Sequence, residues 1–435
     1  MARVVPAPPR GELRRGQRPS LPGPLVAACL YAALIPLQPV LTLPDGSALR
    51  FAGSEVVAPF VFLAALVRPR RRLPAGLAGL ALAIPLLAFF STLVAAGDRV
   101  LSGYAIGKTI GIFYLVGFCF ALVRATEPGA EAAVLRALAW GALWSAVVGL
   151  AGFAASLAGI QTTLVEGTRL CSTMPGDPNI FCSVLAAGLL ITAMDRQLST
   201  TARLVRSVIL LAAILATGSR SGLVAALVAI TACTFLRNLD AWITAARTGL
   251  VVLAVGVAAT LVLLTGPGAA AAHILRDHLW RTFTVESRFD LYAAALRQFT
   301  EHPIGGLGIG GFNDLNTWNH GGRAEHFAVH NTYLWALVDM GVGGGLLLVG
   351  LIAAGAVRCV RAAVRRPAHE SAAVVAAGLL AMAVFNVFID GFYQRHFWVL
   401  MACALGIPAR QRVRRLAAWE WRGRRERSLA YSGVR

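Results

Sequence analysis

The sequence is poor in charged residues, which make up only 14% of its 435 residues, whereas 57% are hydrophobic. Its apolar residues are grouped in long uninterrupted runs, a pattern that excludes an ordinary soluble protein. Cysteine is also scarce. The seven cysteines form neither a CxxC pair nor a metal-binding spacing, so zinc and redox motifs have no support. Cys171 and Cys182 either form a disulfide or are simply buried.

The long apolar runs predict a polytopic membrane protein. The same runs predict an all-α fold with a large loop on the outer side between spans 9 and 10. A bilayer core of roughly 30 Å requires about 20 apolar residues per helix, and about twelve such segments are present. They begin near Pro22, Glu55, Pro74, Tyr104, Ala132, Asn179, Leu204, Ser221, Gly249, Asn331, Ala372 and His396. The predicted organisation is a disordered basic cytoplasmic arm (1–20), spans 1–9 (21–265), the large loop with short helices (266–330), spans 10–12 (331–408) and a basic cytoplasmic tail (409–435).

The net charge of +19 is distributed unevenly among the predicted loops. With alternating loops, 29 arginines lie on one side and 10 on the other, while Lys108 lies within a span. The positive-inside rule then places both termini in the cytoplasm. Basic clusters such as RPRRR (68–72) are predicted to be topology signals and contacts with anionic membrane lipids, and no nucleic-acid partner is expected. The first apolar run is long enough to remain in the membrane, so no cleavable signal peptide is predicted.

Two loops on the predicted outer side are long, residues 159–178 and 266–330. In the second, aromatic and apolar residues at helical spacing predict a helix from about Arg288 to Thr300, with a capping box at Ser287 and Asp290. IGGLGIGGF (304–312) follows and contains a literal G-x-G-x-x-G. A dinucleotide site is rejected, because this motif follows a helix rather than a strand. The glycines are instead expected to permit sharp turns or close packing.

Several predicted helices begin on the outer side with residues that cap helix N-termini. These are Asp177 followed by Pro178, Ser219 or Ser221, and Asn331. A helix N-terminus attracts anions, so several at one depth form a natural anion site. Arg220 and Arg288 each lie at such a terminus. Two guanidinium groups there suit a phosphate or pyrophosphate, although each alone could simply anchor a helix to lipid headgroups.

His330 precedes the tenth predicted span and is a candidate general base, since its ordinary pKa suits proton transfer at neutral pH. The alternative is a structural, hydrogen-bonded histidine. The spacing to His320 and His326 does not favour a metal site. Lys108 and Asp339 need partners if buried; either they line the same cavity, or Lys108 snorkels outward and Asp339 pairs with it.

Two further features accompany these groups, one polar and one built from small residues. Asp390, Tyr393 and Arg395 form the short turn between the last two spans and could line the same cavity. Gly341 and Gly345 form a GxxxG step, which predicts close helix approach.

The order of these motifs resembles the O-antigen ligase and O-antigen polymerase superfamily. The resemblance rests on TGSRSG (217–222), on Arg288 ahead of a helix ending in EHPIGGLGIGGF, and on HNTYLWALVDMGVGGG (330–345). It covers roughly residues 165–355 through motifs and the remaining spans through hydropathy alone.

The resemblance implies a membrane glycosyltransferase of the C-type (GT-C-like) architecture, in the bacterial inner membrane, that needs no nucleotide sugar, metal or other cofactor. Its donor would be an undecaprenyl-diphosphate-linked glycan on the periplasmic side. By motif, Arg220 and Arg288 would hold the diphosphate and His330 would activate the acceptor hydroxyl, with inversion. Asp177 and Asn179 match a motif whose role is unspecified. They are predicted to contact substrate, as are Asn331 and Lys108.

The acceptor distinguishes the alternatives within this superfamily. A ligase would transfer the glycan to a glycolipid, the lipid A core sugar, whereas a polymerase would transfer it to another lipid-linked glycan. From a different class, the many spans together with Lys108 and Asp339 also fit a transporter or flippase of lipid-linked glycans. Most candidate charges lie in the outer third of the predicted spans, which favours surface chemistry over transport.

Overall fold

The computed structural model describes residues 23–38, 40–42, 48–50, 52–68, 73–98, 102–174, 177–237, 283–320, 323–326, 328–365 and 370–407. The predicted N-terminal arm, the ninth span near Gly249 and the C-terminal tail lie outside these residues. The described part of the chain is helical, with three short antiparallel hairpins as its strands.

The helices follow the order of the predicted spans. They are α1 (Gly23–Leu34), α2 (Gly53–Val67), α3 (Ala75–Asp98), α4 (Gly103–Ala125), α5 (Glu131–Leu157), α6 (Pro178–Met194), α7 (Thr200–Ala216), α8 (Arg220–Arg237), α9 (Phe283–Glu301), α10 (Gly311–Leu315), α11 (Thr332–Arg365), α12 (Glu370–Phe385) and α13 (Arg395–Gly406). The hairpins pair β1 (Val40–Thr42) with β2 (Ala48–Arg50), β3 (Val165–Glu166) with β4 (Arg169–Leu170), and β5 (Thr317–His320) with β6 (Arg323–His326).

Five of the described helices, α3, α4, α5, α8 and α11, are long and apolar enough to cross a bilayer. α1, α2, α6 and α12 are apolar but shorter than the roughly 20 residues that a perpendicular crossing requires. The described residues therefore agree with an all-α, multi-pass membrane protein, and they do not confirm the twelve predicted spans, of which the ninth lies outside them. α6 illustrates why a helix is short. It begins after the Asp177 N-cap and ends at Met194, before the C-cap Asp195, whose carboxylate accepts the amide hydrogen of Gln197 (3.0 Å).

The core of the bundle is built around α13, in which every residue after Arg395 is buried. A helix that is apolar on all sides is stable only when other helices surround it, and α13 packs against α4, α11 and α12. The indole of Trp398 donates a hydrogen bond to the carbonyl of Phe392 (2.8 Å), which ties the helix to the turn before it. This turn, residues 386–394, is consequently fixed against the start of the buried helix.

The glycine-rich loop between α9 and α10 is inserted between α3 and α11. Its Leu307 amide donates to the carbonyl of Val338 (2.8 Å), and the amide of Val342 donates to the carbonyl of Pro303 (2.8 Å). The hydroxyl of Ser91 in α3 lies 2.6 Å from the carbonyl oxygen of Gly305. The prediction that these glycines permit close packing is confirmed.

α11 is interrupted where the loop enters. Gly341 adopts φ 69° and ψ −171°, which breaks the helix at that residue. A Cβ atom there would lie 2.1 Å from the carbonyl oxygen of Ile304, so only glycine permits this approach. The GxxxG step was predicted to bring a second helix close to α11, and this prediction was wrong. Gly341 admits a loop rather than a helix, and the atoms nearest to Gly345 belong to Leu337 of the same helix.

The helix predicted in the large loop is present as α9, which begins at Phe283 rather than near Arg288. Ser287 therefore lies inside the helix, and the predicted capping box is wrong. The helical hydrogen bonds continue through the preceding residues, which the serine and aspartate spacing alone does not reveal. α9 ends at Glu301, immediately before His302 and Pro303, as predicted.

Candidate active site

Four helices begin at one end of the bundle, which we call the His330 end: α6, α8, α11 and α13. α6 and α8 touch at their first turns, since a Cβ atom on Gly222 would lie 2.1 Å from the thiol sulfur of Cys182. α6 also contacts α13, where Ser183 Oγ lies 3.0 Å from His396 Nε2. The start of α11 joins the turn before α13, because the amide of Gly391 donates to Thr332 Oγ1 (2.8 Å). Four positive helix ends thus converge.

Asp177 and Asn179 organise the start of α6. The Asp177 carboxylate accepts hydrogen bonds from the amides of Asn179 and Ile180, both at 3.0 Å, which is the geometry of an N-cap. Burial raises the pKa of Asp177 above its usual range, although these two amides act in the opposite direction. The side-chain oxygen of Asn179 accepts a hydrogen bond from Arg169 (2.8 Å). Both predicted residues therefore make structural contacts at this end of the bundle.

Arg169 is a residue of this site that the sequence analysis did not single out. Its Nε donates to the carbonyl of Thr217 (2.8 Å) while its other nitrogen binds Asn179. The guanidinium thereby joins the start of α6 to the turn between α7 and α8. A cation eight residues before the Asp177 cap, in one of the two long outer loops, was the available signal.

Arg220 is the first residue of α8 and its side chain is exposed at the His330 end. The turn before it uses Gly218 in the left-handed region (φ 62°), and Ser219 Oγ accepts the amide hydrogen of Gly222 (3.3 Å). Glycine and serine at these positions let the chain reverse from α7 into α8. The guanidinium consequently lies on the helix terminus that abuts α6.

His330 stands immediately before the cap of α11. Asn331 Oδ1 accepts the amides of Tyr333 (3.0 Å) and Leu334 (3.1 Å), so Asn331 is the N-cap, as predicted. His330 itself has φ 53°, an uncommon conformation for a residue with a Cβ atom, which costs about 1–3 kcal/mol. The hydroxyl of Tyr292 in α9 lies 3.3 Å from the His330 carbonyl and 3.1 Å from that of Val387. The peptide of His330 is thus held between α9 and the turn after α12.

Arg288, Asp390 and Lys108 provide the charges around His330. The imidazole is exposed at its surface, yet the protein around it removes enough water that desolvation lowers its pKa, and the nearby guanidinium of Arg288 lowers it further. Asp390 acts in the opposite direction on the pKa of His330. Burial in turn raises the pKa of Asp390, and the charges of Lys108 and His330 oppose that rise. Arg288 and Asp390 thus act on the charge of His330, and Lys108 acts on that of Asp390; we call these four residues the electrostatic cluster.

Lys108 points toward this cluster rather than outward. Its ammonium lies 3.8 Å from the ring centroid of Tyr393 and 5.3 Å from that of Tyr104, a cation–π arrangement. Asp390 lies in the same turn as Tyr393, and its Oδ1 accepts no hydrogen bond from the described residues. In the described part of the chain, this buried oxygen shares the lack of a hydrogen-bond partner with Asn386 Oδ1 and the Tyr393 hydroxyl of the same turn.

Asp339 does not pair with Lys108, so that alternative was wrong. Its carboxylate accepts hydrogen bonds from the amides of Gly310 (2.8 Å) and Phe312 (3.2 Å), and the side chain is fully buried. Asp339 thereby anchors the start of α10 to α11. Cys171 and Cys182, both buried, do not form a disulfide.

Comparison with known protein families places these features in context. Residues 206–349 match the O-antigen ligase family. This segment contains Arg220, Arg288, His330 and the docked glycine-rich loop, and it lies within the region of the predicted resemblance, which it confirms. In the matched segment, Arg220 stands at a helix start, Arg288 lies on α9, and His330 precedes a helix cap. No significant match to a curated protein was found.

Proposed function

We propose that this protein transfers a glycan from undecaprenyl diphosphate to an acceptor hydroxyl, as an O-antigen ligase-like enzyme at the periplasmic face of the inner membrane. The observation that carries the proposal is the setting of His330. A strained histidine stands before a helix N-terminus, and its pKa is lowered by burial and by Arg288. Such an imidazole is neutral at pH 7 and able to accept a proton.

The reaction that fits this setting is an inverting substitution at the anomeric carbon. His330 takes the proton from the acceptor hydroxyl while the oxygen forms the new glycosidic bond. The bond from the anomeric carbon to the phosphate oxygen breaks, and undecaprenyl diphosphate leaves with its electron pair. Arg220 and Arg288 stabilise the negative charge that develops on the leaving group, together with the N-termini of α6 and α8. Asp390 stabilises the imidazolium that His330 becomes.

The acceptor in this proposal is a sugar of a glycolipid, such as a lipid A core sugar. A polymerase would use the same donor chemistry and differ only in offering a lipid-linked glycan as acceptor. The arginine distribution supports the orientation, with both termini in the cytoplasm and the His330 end outside. The donor's lipid tail would reach the site sideways from the bilayer.

The test is transfer by purified protein from a defined lipid-linked oligosaccharide to alternative acceptors. We expect His330→Ala to abolish product formation, whereas His302→Ala, which changes an exposed histidine after α9, should leave it intact. Full activity in His330→Ala would remove the base assignment. Consumption of the donor separates an enzyme from a flippase, which would move the donor across vesicles unchanged.

The diphosphate assignment has its own measurement. Donor affinity should fall in Arg220→Ala and in Arg288→Ala, and Arg297→Ala, an exposed arginine of α9, is the matched control. Loss of a bidentate guanidinium contact to phosphate is expected to weaken binding about tenfold or more. Unchanged donor affinity in both variants would overturn the assignment.

A further inference from the structure

A charged cavity lies at the end of the bundle opposite His330. It has a volume of about 210 Å³ and lies where α5 and α7 begin and α6 ends. Its polar and aromatic lining consists of Arg136, Trp140, Thr192, Asp195, Gln197 and Arg206. α6 runs from the His330 end to this cavity, which places the cavity a full helix length from the candidate active site.

The two arginines of this cavity are not neutralised by carboxylates. Neither Arg136 nor Arg206 forms an ion pair with any described residue, although both are half-buried. The guanidinium of Arg206 instead lies over the indole of Trp140, 4.1 Å from the ring centroid. Trp140 is 53% exposed, as is common for a tryptophan at a membrane–water interface. Two guanidinium groups that share one cavity without a carboxylate partner are suited to a phosphate.

The rest of the lining indicates what else the ligand carries. Asp195 contributes a carboxylate, which would repel a bare anion but accept hydrogen bonds from hydroxyl groups. Thr192 and Gln197 add neutral hydrogen-bonding groups beside it. The cavity is too small for a whole lipid, but the exposed face of α5 continues from Trp140 in the cavity lining to Val147 (50% exposed), two turns further along the same side of the helix. Acyl chains would lie along these side chains, outside the cavity.

We propose that this cavity binds the headgroup of an anionic phospholipid that bears free hydroxyls, of the phosphoglycerol type. The phosphate lies between Arg136 and Arg206, and the glycerol hydroxyls donate to Asp195. Basic pockets between membrane helices are established sites for such headgroups. This inference does not depend on the proposed function, because the cavity is remote from His330.

The experiment compares lipid binding by the full-length protein in nanodiscs of phosphatidylcholine that contain small amounts of either phosphatidylglycerol or phosphatidic acid. Retained lipid is counted by native mass spectrometry. Wild-type protein should retain phosphatidylglycerol preferentially. Arg136→Gln and Arg206→Gln should each weaken this binding about fivefold, and the double variant about thirtyfold. Arg203→Gln, an arginine of α7 that does not line the cavity, is the matched control and should bind as wild type does.

Two further arms distinguish the parts of the proposal. Asp195→Asn keeps an acceptor for the Gln197 amide but removes the charge, so it should bind phosphatidic acid more tightly and lose the preference for phosphatidylglycerol. Soluble glycerol phosphate should fail to compete, because it lacks acyl chains. Undiminished phosphatidylglycerol binding in the double variant would overturn the site. Equal retention of both anionic lipids by the wild type would overturn the assignment of the hydroxyls.

Discussion

The link between Asp339 and the glycine-rich loop makes a quantitative prediction. Asp339 accepts two hydrogen bonds, from the amides of Gly310 and Phe312, in a fully buried setting. Asp339→Ala removes both acceptors and leaves two buried amides without partners. Each such amide costs about 1–3 kcal/mol, so the docked loop should lose about 2–6 kcal/mol.

This loss should undock the loop rather than unfold the protein. Most of the core surrounds α13 and consists of helices, to which the loop adds Leu307, Ile309 and Phe312, whereas the interruption of α11 at Gly341 depends on the loop being in place. Local opening of such a unit is detected by hydrogen exchange. We expect the amides of residues 306–312 to exchange at least about thirtyfold faster in Asp339→Ala, as a loss of about 2 kcal/mol implies.

Hydrogen exchange with mass spectrometry, on purified protein in detergent, measures this directly. Asp339→Asn keeps one acceptor oxygen and should show an intermediate effect. Asp290→Ala changes an exposed carboxylate of α9 and should exchange as the wild type does. Wild-type exchange rates at residues 306–312 in Asp339→Ala would refute the reasoning, because the two hydrogen bonds would then not hold the loop.

Three further predictions concern the same end of the molecule. Arg288→Gln removes a cation that lowers the pKa of His330, so the acid limb of kcat/KM against pH should move to higher pH. Asp390→Asn removes an anion that raises this pKa, so the acid limb should move to lower pH. An unchanged pH profile in both variants would contradict the cluster. Gly306 has φ 67°, and Gly306→Ala would place a Cβ atom 2.5 Å from the backbone of Asp339. This variant should destabilise the protein by about 1–3 kcal/mol, measured by thermal unfolding. An unchanged unfolding midpoint would contradict the tight docking of the loop. Tyr292→Phe should reduce the stability of the α9 docking by about 1 kcal/mol and make α9 easier to cleave with protease. Equal cleavage rates in the variant and the wild type would show that the Tyr292 hydroxyl does not hold α9 in place.

The sequence predicted the class of the protein and the start of many elements, because those depend on local composition. Apolar runs predict helices wherever they occur, and the caps at Asp177 and Asn331 follow from side chains that bond to amides two or three residues away. The family match over residues 206–349 likewise rests on motifs that are contiguous in the chain. The start of α9 was predicted wrongly, since a capping pattern does not reveal that a helix already runs through it.

Contacts between residues far apart in the chain required the tertiary structure. Nothing local to Asp339 indicates that it binds amides of a loop some thirty residues earlier, and a buried carboxylate near Lys108 suggested a different partner. Arg169 was overlooked for the same reason, because its two acceptors lie on separate helices. The electrostatic cluster of His330 with Arg288, Asp390 and Lys108 also arises only once four segments have packed together.

By itself the sequence determined that this is a helical membrane protein with a segment similar to the O-antigen ligase family, since hydrophobicity and ordered motifs are properties of the chain. Only the tertiary structure decided which charges face one another, where a loop interrupts α11, and that two arginines share a cavity far from His330. Hydrophobic burial depends on how much apolar surface a segment carries, whereas a hydrogen bond or a shifted pKa depends on distances of a few ångströms, which packing alone determines.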